Sequence, residues 1–79
     1  MPVVDVYSRQ GCHLCEVLLE QLLEFLDGKA TVAVHDVDSQ VAWQKEYGFD
    51  VPVVEYQGVR LCVHRLDRDA VWQALAGKD

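Results

Sequence analysis

Val3-Val4-Asp5-Val6-Tyr7-Ser8-Arg9-Gln10-Gly11-Cys12-His13-Leu14-Cys15 is the stretch that decides the fold. Its first five residues are β-branched or aromatic around one aspartate, the make-up of a short buried strand. Ser8 to Gly11 is turn-like. From Cys12 to about Leu26 the apolar period becomes helical. Leu14, Leu18, Leu22 and Phe25 recur on one face, and Leu19, Leu23 and Leu26 widen the stripe. Glu16, Glu20 and Glu24 form an opposing row of like charges, which repel weakly at this spacing and read as a solvated face. Asp27-Gly28-Lys29 ends the helix, with Gly28 suited to the left-handed position that follows it.

The remaining chain continues the alternation. Thr31 to Val37 predicts a second strand, and Asp38 or Ser39 can cap a short helix that runs to Tyr47 and closes at Gly48. Val51-Pro52-Val53-Val54-Glu55-Tyr56 predicts a third strand that begins at a proline. Gln57-Gly58 is a tight-turn signal, after which Val59 to Val63 returns as a fourth strand. Asp67 to Ala76 carries Val71, Trp72 and Leu75 as an apolar helical stripe. The order β-α-β-α-β-β-α implies an α/β sandwich with a mixed sheet. Its first two strands are parallel through a right-handed crossover, and its last two form an antiparallel hairpin.

Seventy-nine residues predict a single domain, 1–79, with no room for a second core. Half the residues are apolar, which suits a packed globule. No apolar run approaches a membrane-spanning length, so no membrane association is expected. The opening residues lack the basic and apolar segments of a secretory signal, and a reducing cytoplasm is the expected setting. A net charge of −6 argues against non-specific nucleic-acid binding and serves solubility. Three cysteines cannot close a disulfide framework, and two of them stand too close to staple distant parts of a fold.

Those two carry the chemistry. A helix start presents unpaired backbone N–H groups and a positive dipole end, and both favour a thiolate over a thiol. The thiolate is the species that attacks disulfides and binds metals. A C-x-x-C that follows a strand and opens a helix points first to dithiol–disulfide chemistry. Two intervening residues put both sulfurs within disulfide reach across one helical turn.

On Tyr7-Ser8-Arg9-Gln10-Gly11-Cys12-His13-Leu14-Cys15-Glu16, Asp36-Val37-Asp38-Ser39 and Tyr47-Gly48-Phe49-Asp50-Val51-Pro52-Val53-Val54, the chain resembles the glutaredoxin branch of the thioredoxin-like superfamily. It looks most like small glutaredoxin-like proteins with a Gly-Cys-His-Leu-Cys active site. The resemblance implies a thioredoxin fold with strand order 4-3-1-2 and the third strand antiparallel to the rest. It implies a thiol–disulfide oxidoreductase acting in cell redox homeostasis, with Cys12 as nucleophile and Cys15 as resolving thiol. Glutathione or a reductase is the implied electron donor, and no cofactor is bound. The implied substrates are a disulfide-bearing protein or a small thiol compound, and the implied state is a monomer.

The same resemblance assigns supporting roles. Val51 and Pro52 form a substrate-binding loop whose Val51–Pro52 bond is cis, with the Val51 backbone pairing to a bound thiol peptide. Arg9 matches a basic residue that favours the thiolate or pairs with a glutathione carboxylate. His13, once protonated, would stabilise the neighbouring Cys12 thiolate. Asp5 matches a buried aspartate that assists proton transfer to the resolving cysteine, although its spacing to Cys12 differs by one residue.

The chain departs from this pattern where glutaredoxins place Gly-Gly after the fourth strand. Here Cys62-Val63 is followed by His64-Arg65-Leu66-Asp67, and the side chains remove a close backbone approach. Arg65 and Arg68 are candidates to hold a carboxylate in another way. Two alternatives stand beside the oxidoreductase. One is a binding module that holds thiols or peptides in the Val51-Pro52 groove with little turnover. The other is a Cys3His zinc protein using Cys12, Cys15, Cys62 and His64, for which the strand spacing C-x-H gives poor chelate geometry. Cys62 otherwise reads as a small buried hydrophobe, Trp43 and Trp72 as packing residues, and His35 as a surface or locally hydrogen-bonded residue.

Overall fold

In the computed structural model, residues 1–77 are described. Lys78 and Asp79, the end of the expected unit 1–79, lie outside them. The elements are β1 (Val3–Ser8), α1 (His13–Phe25), β2 (Thr31–Asp36), a 3₁₀ turn (Val37–Ser39), α2 (Val41–Tyr47), β3 (Val53–Tyr56), β4 (Val59–Val63) and α3 (Arg68–Ala76). One four-stranded sheet has the order β2-β1-β3-β4. β1 pairs in parallel with β2, from Val3↔Thr31 to Ser8↔Asp36. β3 is antiparallel to both β1 and β4. This is the expected mixed sheet, with β3 as its one reversed strand.

The side-chain alternation of β1 divides the core. Val4 and Val6 are fully buried on one face with Leu18, Leu22 and Leu26 of α1 and its end, Val54, Cys62, and Val71 of α3. The opposite face holds Val37, Tyr47 and Val53, with Tyr7, Trp43 and Val51 packed against them. Tyr7 stacks on Tyr47 with ring centroids 3.9 Å apart, and Trp43 meets Tyr7 edge-on at 5.5 Å. Trp43 therefore packs as the sequence predicts, whereas Trp72 is about half exposed.

Several local expectations shift. The buried face of α1 runs Cys15, Leu18, Leu22 and then Leu26, so Leu14 and Leu23 lie at its exposed margins. One residue of helix rotates by about 100°, which carries Leu14 away from the line that begins at Cys15. The second strand stops at Asp36, because its carboxylate caps the 3₁₀ turn through the Asp38 N–H at 2.9 Å. α2 then starts after Gln40 with no side-chain cap bond. The third strand begins at Val53, leaving Val51 and Pro52 in the preceding loop. The hairpin turn has Gln57 at φ 53° and Gly58 at φ 81°, the paired left-handed conformations of a tight β-turn. Asp67 caps α3 by accepting the Ala70 N–H at 3.1 Å.

Candidate active site

The loop from β1 delivers Cys12 to the N-cap position of α1 and Cys15 to its first turn. Cys12 is half-buried, and its Sγ accepts the Cys15 backbone N–H at 3.2 Å. Cys15 is 2% exposed, packed under the turn that Cys12 caps. Burial pushes the Cys15 thiol up to about 11, and its hydrogen bond with Cys12 adds to this. The backbone N–H and the guanidinium of Arg9 pull in the other direction, with a smaller effect. The pair is thus asymmetric, one cysteine half-buried at the helix start and the other held as a buried thiol.

Arg9 reaches across the site's floor. Its Nε donates to Asp38 Oδ2 at 3.0 Å, its Nη2 to Asp38 Oδ1 at 3.2 Å, and its Nη1 to the Gly48 carbonyl at 3.0 Å. Gln44 also donates to Asp38 Oδ1 at 3.2 Å. All three guanidinium nitrogens are engaged, so Arg9 ties the loop before Cys12 to the 3₁₀ turn and the end of α2. Hydrogen bonding from Arg9, then from Gln44, holds the Asp38 carboxyl below its ordinary range. The carboxylate-holding role implied for Arg9 meets a guanidinium already occupied by a carboxylate of its own chain.

The Val51–Pro52 bond is cis, and Pro52 is buried. The residue after β4 closes over this loop. The His64 N–H donates to the Pro52 carbonyl at 2.8 Å, and its imidazole Nδ1 lies 3.2 Å from the Val51 carbonyl oxygen. His64 has φ 71°, a left-handed conformation uncommon for a residue with a Cβ. Its side chain also lines a cleft of about 360 Å³ with Leu14, Val17, Leu18, Gln21, Arg65, Leu66 and Arg68. That cleft joins the exposed side of α1, one turn from Cys12, to the loop that leads into α3.

The other expected residues fall in different places. His13 opens α1 with its side chain exposed. Asp5 sits on the sheet face opposite Val4 and Val6, so the sheet separates it from Cys15 and α1. Its Oδ1 pairs with His35 Nε2 at 2.9 Å, and His35 stacks on Tyr7 with centroids 4.8 Å apart. The expected relay from Asp5 to the resolving thiol therefore has no path in this geometry, because strand alternation turns Asp5 toward α2. The four candidate zinc ligands do not converge. Cys62 is buried in the core, where its Sγ accepts the Asp67 N–H at 3.3 Å, while His64 is turned to Val51. Among the described residues no three metal-ligating side chains form a cluster. Burial pushes the Cys62 thiol up, partly offset by that Asp67 N–H.

Two contributors escaped sequence reading. Asp38 reads from sequence as a helix cap, and nothing in its spacing marks it as the partner of Arg9, 29 residues away. His64 was weighed only as a metal ligand, and a left-handed histidine leaves no trace in composition or period.

A sheet of order β2-β1-β3-β4, a dithiol turn at the start of the first helix and a cis-proline loop define a thioredoxin-like protein of glutaredoxin type. The chain belongs to the glutaredoxin-like domain family, whose model matches residues 3–76. It is similar to the structural-genomics target XcR50 from X. campestris, at 25% identity and a TM-score of 0.71, over 94% of this chain and 99% of that one. Glutaredoxin C1 from Populus tremula × tremuloides, in its holo form, shares the fold at 23% identity and a TM-score of 0.54, over 89% of this chain and 70% of its own. A malarial protein shares it at 13% identity and a TM-score of 0.55, over 94% and 91% of the two chains.

Proposed function

We propose that this chain is a dithiol–disulfide oxidoreductase in which Cys12 attacks and Cys15 resolves. The observation that carries this reading is the asymmetry of the pair: a half-buried Cys12 sulfur at the helix cap over a buried Cys15. Membership of the glutaredoxin-like family supports it. Cys12, as thiolate, forms a bond to one sulfur of a substrate disulfide, and the other sulfur leaves as a thiolate. The Cys15 sulfur then loses its proton, bonds to the Cys12 sulfur and expels the second substrate thiolate. Cys12 and Cys15 end as a disulfide, and the substrate disulfide has taken up two electrons. A low-molecular-weight thiol such as glutathione, or a dithiol reductase, would return the pair to the reduced state.

The Cys15 N–H at 3.2 Å faces the Cys12 sulfur while that sulfur bonds or leaves. Holding both sulfurs in one helical turn makes the second step intramolecular. The test is reduction of bis(2-hydroxyethyl) disulfide by the reduced protein, followed as 2-mercaptoethanol released into a protein-free filtrate. Cys12→Ser should abolish the reaction, whereas Cys15→Ser should stop at a mixed disulfide visible by mass spectrometry. Undiminished activity of Cys12→Ser would sink the reading.

A further inference from the structure

We infer that His64 is a selectivity gate, which withholds the Val51 carbonyl from extended polypeptide substrates and leaves the site to compact disulfides. The inference rests on the reading of Cys12 and Cys15 as the reactive pair. An extended segment docks beside a sheet end or loop by pairing with free backbone N–H and C=O groups. The loop preceding β3 offers such an acceptor at Val51, just before the buried Pro52. The His64 imidazole occupies it, with Nδ1 3.2 Å from the oxygen.

The backbone around His64 argues that this placement is built in. Its N–H is fixed on the Pro52 carbonyl at 2.8 Å, and its φ of 71° is one that glycine adopts without steric cost. A histidine there bears conformational strain, and what it adds over glycine is the imidazole on Val51. The side chain is exposed, so a tighter competitor can displace it. A hydrogen bond of this kind is weak on balance, which suits a gate rather than a lock.

Compact substrates need no such pairing. The cleft beside Leu14 and Val17 holds about 360 Å³, enough for a small organic group, and His64 lines one side of it while its Nδ1 lies on Val51. Arg65 lines that cleft and, among the described residues, has no ion pair.

The test compares the wild type with His64→Gly, a substitution that suits the left-handed backbone. Binding is measured by fluorescence anisotropy with a labelled, uncharged, β-prone peptide carrying serine in place of its central cysteine. Displacing the imidazole should tighten peptide Kd by about fivefold or more. In parallel, release of 2-nitro-5-thiobenzoate is followed from its mixed disulfides with the cysteine form of that peptide and with N-acetylcysteine methylamide. His64→Gly should raise the ratio of kcat/KM for the peptide over that for the compact substrate by about fivefold or more. Equal peptide Kd in the two proteins, or a parallel fall on both substrates, would overturn the gate. Absence of turnover by the wild type on both substrates would instead strike the redox reading, because the binding arm needs no chemistry. His64→Asn, whose residue type also tolerates the left-handed region, repeats the comparison if the glycine variant loses its fold.

Discussion

Arg9 lays its Nε and Nη2 on the two carboxylate oxygens of Asp38, at 3.0 and 3.2 Å, in the fork-to-carboxylate geometry that fixes both partners. With Nη1 on the Gly48 carbonyl, one side chain thereby links the loop before Cys12 to the segment that leads into Val51 and Pro52. Its charge also stands near enough to Cys15 to favour the thiolate there. Replacing Arg9 by Gln should raise the Cys15 thiol above its present position near 11 and slow resolution. Iodoacetamide alkylation of Cys15 across a pH series, in a Cys12→Ser background, reads the shift. An unchanged profile would show that Arg9 acts on loop geometry alone.

Asp38 gives the same contact an acid limb. Its carboxyl is held below the ordinary value, first by Arg9 and then by Gln44. A depressed carboxylate contributes stability above its unfolded pKa of about 3.9, lost as pH falls through the lower folded value. Urea unfolding between neutral pH and pH 3 should therefore be flatter in Asp38→Asn than in the wild type. Parallel curves would remove the linkage.

Cys15 sets the opposite, alkaline limb. A thiol raised from 9.0 to about 11 stabilises the reduced fold below its unfolded value, and this contribution is lost as pH rises through the folded value. Stability of the reduced wild type should fall between those limits, and Cys15→Ala should flatten that slope, with Cys62, whose thiol burial also raises, keeping the rest. The resolving step should also quicken about tenfold per pH unit until it levels near the folded pKa, since only the thiolate attacks. Stopped-flow decay of a preformed Cys12 mixed disulfide measures it directly.

On the far face, Tyr47 donates its hydroxyl to Glu55 Oε2 at 2.8 Å, and Glu55 is only 7% exposed. Burial, then this bond, pushes the Tyr47 hydroxyl upward and keeps it a donor. Tyr47→Phe leaves a buried carboxylate oxygen short of a partner and should cost about 1–3 kcal/mol in urea unfolding. Activity on a compact disulfide should hold, because the sheet lies between this pair and the thiols.

Within α1, Leu22 and Leu23 separate packing from period. Leu22 is fully buried and Leu23 is 53% exposed. Leu22→Ala should cost about 2–5 kcal/mol, while Leu23→Ala should stay within about 0.5 kcal/mol. Comparable losses would mean that the helix packs by a different face.

The strand–helix–strand opening and the Gln57-Gly58 hairpin are legible because alternation in β1 and the leucine period in α1 each report one local geometry, whereas the strand order comes only through the family resemblance. The positions of Cys12 and Cys15 followed from that boundary alone. What stayed hidden depended on tertiary context. The Leu14 and Leu23 margins differ from the buried line by one residue of rotation, finer than a broad leucine stripe reveals. The make-up of β1 marks a buried strand, but hydropathy does not say which face α1 covers, and so leaves open the side on which Asp5 falls. The roles of Asp38 and His64 arise from contacts between loops distant in sequence.

The strand order has one more consequence, for how copies of this chain meet. β2 is an outer strand, and among the described residues no strand pairs with its far side. Six residues there present a row of backbone donors and acceptors, with Val34 exposed and neither lysine nor proline among them. Nature commonly guards such rims with charge or kinks, because a bare rim templates another strand. This rim, remote from His64, is therefore where strand pairing between copies is expected at high concentration, and Val34→Lys is the smallest change that would blunt it.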